Sequence, residues 1–151
     1  MKITTQLKEE VIDQLRNGDW KRKATEYIDN PVQLNGLLNR VLAFIKKKAY
    51  GPLVKDAIVL YFYVEDIVKG HYKQYSYRKL ITIVAVLIYL VSPYDLVPDF
   101  LVSIGFLDDA ALIGYVISLT EKELHGYLRW RKQQRKIVKA SEDKPFAFFN
   151  I

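Results

Sequence analysis

The chain has 151 residues, with 23 Lys and Arg against 17 Asp and Glu, two His, no Cys, and hydrophobic side chains at 50% of its positions. This length and apolar content suit one globular domain and exclude an intrinsically disordered chain. The lack of Cys excludes disulfides, thiolate metal sites and a cysteine nucleophile. Met1 leads into a polar stretch without a basic n-region or an apolar h-region, so no secretory signal is expected and the expected location is cytoplasmic.

Charge is unevenly distributed. Residues 80 to 119 contain no Lys or Arg and four acids, Asp95, Asp99, Asp108 and Asp109, and 28 of these 40 residues are apolar. The other 111 residues hold all 23 bases and 13 acids. A basic body thus carries an apolar insert, and bases resume on either side of it, from Lys69 to Lys79 before and from Lys122 to Lys139 after.

Proline and glycine punctuate the chain at wide intervals, and the apolar spacing between them is helical. Residues 6 to 17 place Leu7, Val11 and Leu15 on one face, closed by Gly18. Asn30-Pro31 is a cap followed by a first-turn proline, opening a helix with Leu34, Leu37, Leu38, Val41, Leu42 and Ile45 inward. Gly51-Pro52 starts a third helix through Ala57, Leu60, Val64 and Val68, closed by Gly70, and residues 71 to 77 form a basic, aromatic connector. Ser76 can cap the next helix, Leu80 to Val91, in which only Thr82 interrupts the apolar side chains. A helix apolar all round is buried on every side, in protein or in lipid. Ser92-Pro93 ends it. A short helix is expected after Asp95, ending near Gly105. A long one is expected from Asp108 or Asp109, burying Leu112, Tyr115, Val116 and Leu119 and continuing as a basic rod to about Lys139. An aromatic tail follows.

Residues 89 to 113 read Y-L-V-S-P-Y-D-L-V-P-D-F-L-V-S-I-G-F-L-D-D-A-A-L-I. This segment resembles the signature of the YkvA-like family, domain of unknown function 1232, in Ser92, Pro93, Asp95, Pro98, Asp99, Phe100, Gly105, Asp108 and Asp109. It departs at Val102, where the family usually has a second proline; this loosens the expected turn after Phe100 and leaves all four aspartates in place. The resemblance implies a helical hairpin often predicted to be membrane-associated, and it brings no activity and no catalytic residues.

Two readings of the aspartates stand side by side. In one, Asp95 and Asp108 are N-caps, each contributing about 0.5 to 2 kcal/mol, Pro98 sits in a tolerated first-turn position, and Asp109 interacts with the helix dipole. Asp99 and Asp109 fit this less well than Asp95 and Asp108, since a helical Asp99 falls one turn beyond Asp95 on the same face of an apolar segment. In the other, the two turns approach and the four carboxylates offer hard oxygen ligands to Mg2+, Mn2+ or Ca2+, as a metal-dependent enzyme acting on a phosphorylated substrate requires. D-D-A-A-L is not the prenyl-chain motif D-D-x-x-D, since Leu112 stands at the third acid. His71 and His125 are isolated, and neither a glycine-rich phosphate loop nor a nucleophile elbow occurs, so an enzyme would have to work through its aspartates.

The run from Tyr127 to Lys139 interleaves aromatic and basic residues. It can be a solvated helix face with Trp130 and Leu128 packed on the body. A membrane-surface contact through Arg129, Trp130, Arg131, Lys132, Arg135 and Lys136 explains the neighbouring hairpin as well. Tyr72, Tyr75, Tyr77, Tyr127 and Trp130 then sit where an interfacial belt falls. No motif of a nucleic-acid-binding module accompanies the basic stripe. Leu80 to Val91 makes a helix of roughly 18 Å against about 30 Å of hydrocarbon, too short to span. The helix is therefore either the centre of a bundle or a shallow inserted hairpin.

The expectation is an all-α single domain over residues 1 to 151, a bundle of about six helices around an apolar hairpin at about 76 to 120, with a basic C-terminal helix to about 139. It is expected to be non-enzymatic, without a cofactor unless the aspartates hold a divalent cation. Its expected partner is an anionic membrane surface, at the inner face, or a membrane protein.

Overall fold

The computed structural model describes residues 5–48, 52–91 and 109–140, and the regular structure among them is helical throughout. Seven helices occur among these residues: α1 Thr5–Asn17, α2 Asp19–Ile28, α3 Pro31–Lys48, α4 Pro52–Val68, α5 Tyr77–Val91, α6 Asp109–Ser118 and α7 Glu121–Ala140. The Ser92-Pro93 stop, the short helix expected after Asp95 and the aromatic tail lie outside the described residues.

Two differences from the expected elements have local causes. The first is α2, which the sequence reading left between Gly18 and Asn30. Its 10 residues are rich in charge, yet Trp20, Ala24 and Tyr27 recur at i, i+4 and i+7 and are buried. The turn into it is tight: the Asp19 N–H donates to Gln14 Oε1 at 2.9 Å, and a Cβ on Gly18 would come within 2.9 Å of the Gln14 Cα.

The second is the expected long helix from Asp109, which is two helices, α6 and α7. At the junction the Leu119 and Thr120 N–H groups donate three residues back, to Val116 and Ile117, and the Thr120 hydroxyl donates to Ile117 O at 2.7 Å. The Leu124 N–H then reaches Thr120 O at 2.9 Å and starts α7, with Glu121 and Glu123 in its first turn, where the helix dipole favours acids.

The remaining boundaries follow the expected punctuation. Asn30 caps α3, its Oδ1 accepting the Gln33 N–H at 3.2 Å. Gly70, at φ +77°, ends α4: its N–H donates to Ile67 O and the His71 N–H to Asp66 O, the two bonds of a Schellman cap.

Ten consecutive residues of α5, Leu80 to Tyr89, are buried. Helices α1, α2, α3, α4 and α6 all pack against it, α2 most extensively, with the Trp20 and Tyr89 rings 6.3 Å apart. The surroundings of α5 are therefore protein. Even the Thr82 hydroxyl is satisfied within the helix, donating to Arg78 O at 3.1 Å. Around α5 stand Val11 of α1, Leu34, Leu37 and Val41 of α3, Leu60 and Val64 of α4 and Val116 of α6, so these members of the expected inward sets form one core, whereas Val68, expected on the same face of α4, is exposed.

Candidate functional site

Of the four aspartates, Asp95, Asp99 and Asp108 lie outside the described residues, as do Pro98 and Gly105, while Asp109 is the first residue of α6. Among the described residues no group of three or more His, Cys, Asp or Glu is placed to hold a metal ion. The basic rod, in contrast, is described along most of its length.

Helix α7 sorts its side chains onto two faces. Leu124, Tyr127, Trp130 and Arg131 turn toward the body, Leu124 and Tyr127 fully so, whereas His125, Leu128, Arg129, Lys132 and Arg135 are exposed. Of the six residues expected to make the contact, Trp130 and Arg131 thus turn toward the body. Trp130 packs with its ring 5.1 Å from that of Tyr72 and 5.9 Å from that of Tyr127, inside a cluster completed by Tyr63. Arg131 points inward, paired with Asp66 of α4 at 2.5 Å and lying over the Phe62 ring at 4.7 Å. The expected interfacial belt divides similarly: Tyr72 and Tyr127 are core residues, and Tyr75 and Tyr77 are exposed. Leu128 departs the other way; it is 41% exposed instead of packing on the body. For Lys136 the structure describes the backbone position on α7 alone.

Two clasps hold α7 in this orientation. In the first, Asp66 Oδ2 accepts the Tyr127 hydroxyl and Arg131 Nη1, both at 2.5 Å, and Arg131 also donates to the Tyr127 oxygen at 2.8 Å. His71 Nδ1 lies 3.5 Å from the other Asp66 oxygen. In the second, Glu123 Oε2 accepts the Tyr63 hydroxyl at 2.5 Å and the Ser76 N–H at 3.0 Å, so one carboxylate ties α7 to α4 and to the residue preceding α5. Lys79 adds a bond from its Nζ to Leu119 O at 2.7 Å. Each buried polar group in these clasps has a partner, as burial requires.

Burial pushes the Tyr63 and Tyr127 hydroxyls well above the usual tyrosine range, and the carboxylates that accept them, Glu123 and Asp66, push further in the same direction. Tyr61, hydrogen-bonded to Glu65 at 2.8 Å, is raised to about 12 for the same two reasons. A raised folded-state value stabilises the fold fully below the unfolded pKa of about 10, and that stability is lost as pH rises toward the folded value. At pH 11 each fully held tyrosine is expected to cost about 1.4 kcal/mol relative to neutral pH. Thermal melts at pH 7 and pH 11 check this: Tyr63→Phe and Tyr127→Phe should each lower stability at pH 7 and shrink the alkaline loss, and a loss unchanged in both variants would contradict it.

The outward face has the opposite character. From Leu124 to Ala140 the helix carries six Lys and Arg and no acid. Arg129, Lys132 and Arg135 make no ion pair with a described residue, and they flank exposed Leu128. Beside them a groove of about 280 Å3 runs between α4 and α7, its floor formed by Ile58, Val59 and Phe62. No described helix is long and apolar enough to cross a membrane.

Sequence reading missed Asp66, Tyr63 and Glu123, which meet across the fold at separations of 60 (Tyr63 with Glu123) and 61 (Asp66 with Tyr127) positions. The start of α7 did carry a signal, since Thr120-Glu-Lys-Glu123 has the spacing of a capping box; Glu123 spends its carboxylate on Tyr63 and Ser76 instead.

Comparison with known proteins places these elements in context. The family model described as Protein of unknown function (DUF1232) matches residues 79–118, which run from the start of α5 to the end of α6. The chain is 32% identical over 91 residues to a protein of Bacillus subtilis (strain 168) called Uncharacterized membrane protein YkvA; the match covers 60% of this chain and 86% of the relative. No solved structure matches.

Proposed function

The chain belongs to the DUF1232 family, and on that premise we propose that it docks peripherally on the anionic cytoplasmic face of a membrane through the outward side of α7. The observation that carries this reading is the sorting of the α7 bases: Arg131 is consumed inside, while Arg129, Lys132 and Arg135 stand exposed around Leu128. A helix that presents bases around an apolar residue sits in an anionic interface, with the side chain in the headgroup layer and the charges on phosphates. Each base close to such a surface contributes about 1 kcal/mol. The name of the Bacillus relative supports a membrane location, and the burial of α5 in protein favours α7 over that apolar helix as the contacting element.

Cosedimentation with liposomes tests this reading. The protein is expected to pellet with vesicles containing phosphatidylglycerol at low salt, to stay in solution with neutral phosphatidylcholine vesicles, and to be released as ionic strength rises, because surface charges are screened beyond a Debye length of about 10 Å at 0.1 M. Binding of equal strength to both vesicle types would overturn it.

A further inference from the structure

We propose that a basic cleft on the α1–α2–α5 side of the molecule binds a phosphate-bearing anion. The cleft, about 690 Å3, is lined by Arg16 of α1, Lys21 of α2 and Arg78 and Lys79 of α5 over an apolar floor that includes Leu15 and Ile81. This volume falls within the range of about 300–1,000 Å3 typical of small-molecule sites.

Among the described residues the charge of this cleft is uncompensated. No acidic side chain among the described residues lines it, and Arg16, Lys21 and Arg78 form no ion pair with a described residue. Neighbouring Arg22 shows the contrast, being paired with Asp19 at 2.7 Å. Glu123, which accepts the N–H of Ser76 at the edge of the cleft, is engaged by Tyr63 and is not part of the lining. Lys79 is held on the Leu119 carbonyl at 2.7 Å, yet the four cations from three helices converge with no counter-charge among the described residues, and an anion in their midst removes their repulsion. Arg78 and Lys79 also lie in the first turn of α5, which holds no acid, so the helix dipole adds to the positive potential instead of offsetting it.

The mixture of guanidinium and ammonium groups suits phosphate oxygens, for which Arg offers a fork and Lys a point charge. The apolar floor suits whatever the phosphate is attached to. A soluble phosphate ester and a phospholipid headgroup share this chemistry. The cleft has no residue in common with the outward face of α7, so it stands or fails independently of the docking reading above.

The test uses two probes and the variant Arg16→Gln/Arg78→Gln, with Lys21→Gln as a second, single change; all three side chains are exposed, and far-UV circular dichroism checks their folding. Glycerol 3-phosphate is titrated calorimetrically into the full chain at low ionic strength. Vesicles of phosphatidylcholine with and without phosphatidic acid are floated with Arg129→Ala/Lys132→Ala/Arg135→Ala, in which the α7 contact is removed. Saturable one-to-one binding of glycerol 3-phosphate, weakened about tenfold or more by the cleft variants, assigns a soluble phosphate ester. Flotation with phosphatidic acid alone, lost when the cleft changes are added, assigns a lipid headgroup. Failure of both probes to bind, or binding that the cleft changes leave intact, overturns the proposal.

Discussion

Arg131→Ala is expected to destabilise the fold by about 3–5 kcal/mol, the cost of leaving a buried carboxylate without its counter-charge. The Arg131 and Asp66 side chains are only 19% and 11% exposed, and Asp66 Oδ2 retains just the Tyr127 hydroxyl once the guanidinium is gone. For a chain of this size each kcal/mol shifts the melting temperature by roughly 2–4 °C, so thermal denaturation should show a drop of about 10 °C. Removing both charges in Arg131→Ala/Asp66→Ala should cost less than the sum of the single changes, since neither partner is then left alone. A single variant that melts with the wild type would show that the pair contributes nothing. The same geometry bears on any charge-reversal experiment on α7: a change at Arg131 perturbs the fold, and only Arg129, Lys132 and Arg135 report on the surface.

Leu87→Ala is expected to cost about 2–5 kcal/mol in detergent-free buffer, from lost transfer energy and the cavity left behind. Leu87 is fully buried in the middle of α5, whose neighbours are five other helices, so little can collapse into the space. Val32→Ala is the matched control: Val32 is 83% exposed on the first turn of α3, and its truncation should change stability by about 0.5 kcal/mol or less. Denaturant titrations of the two variants without lipid separate a helix buried in protein from one that needs a bilayer. Equal midpoints would contradict the central position of α5.

What the sequence revealed and what it concealed divide along the range of the interactions. Local chemistry was legible: Asn30 before Pro31 starts α3, Gly70 stops α4 in the left-handed φ that glycine takes without strain, and the charge-free run of α5 is buried on all sides. The all-α class follows from such spacing alone. Helix α2 was hidden because its charges outnumber the three buried residues that carry its period. The junction between α6 and α7 was hidden because no Gly or Pro marks it; Thr120 turns the chain through hydrogen bonds to the preceding turn.

At the candidate site the basic and aromatic character of α7 was legible, and its division into faces was not. Arg129 and Arg131 differ by two positions on one helix, which places them about 200° apart around its axis. Sequence alone does not say which of the two meets Asp66, 65 positions earlier. Trp130 illustrates the same limit, since an aromatic residue amid bases suits an interface and a tyrosine cluster equally, and here Tyr72 and Tyr127 receive it.

The most direct test of the membrane-docking account is flotation of Arg129→Ala/Lys132→Ala/Arg135→Ala beside the wild type, on liposomes containing phosphatidylglycerol at low salt. Loss of three contributions of about 1 kcal/mol predicts binding weakened roughly a hundredfold, with an unchanged helical circular dichroism spectrum. A variant that floats as the wild type does would contradict the assignment of the outward face of α7 as the membrane contact.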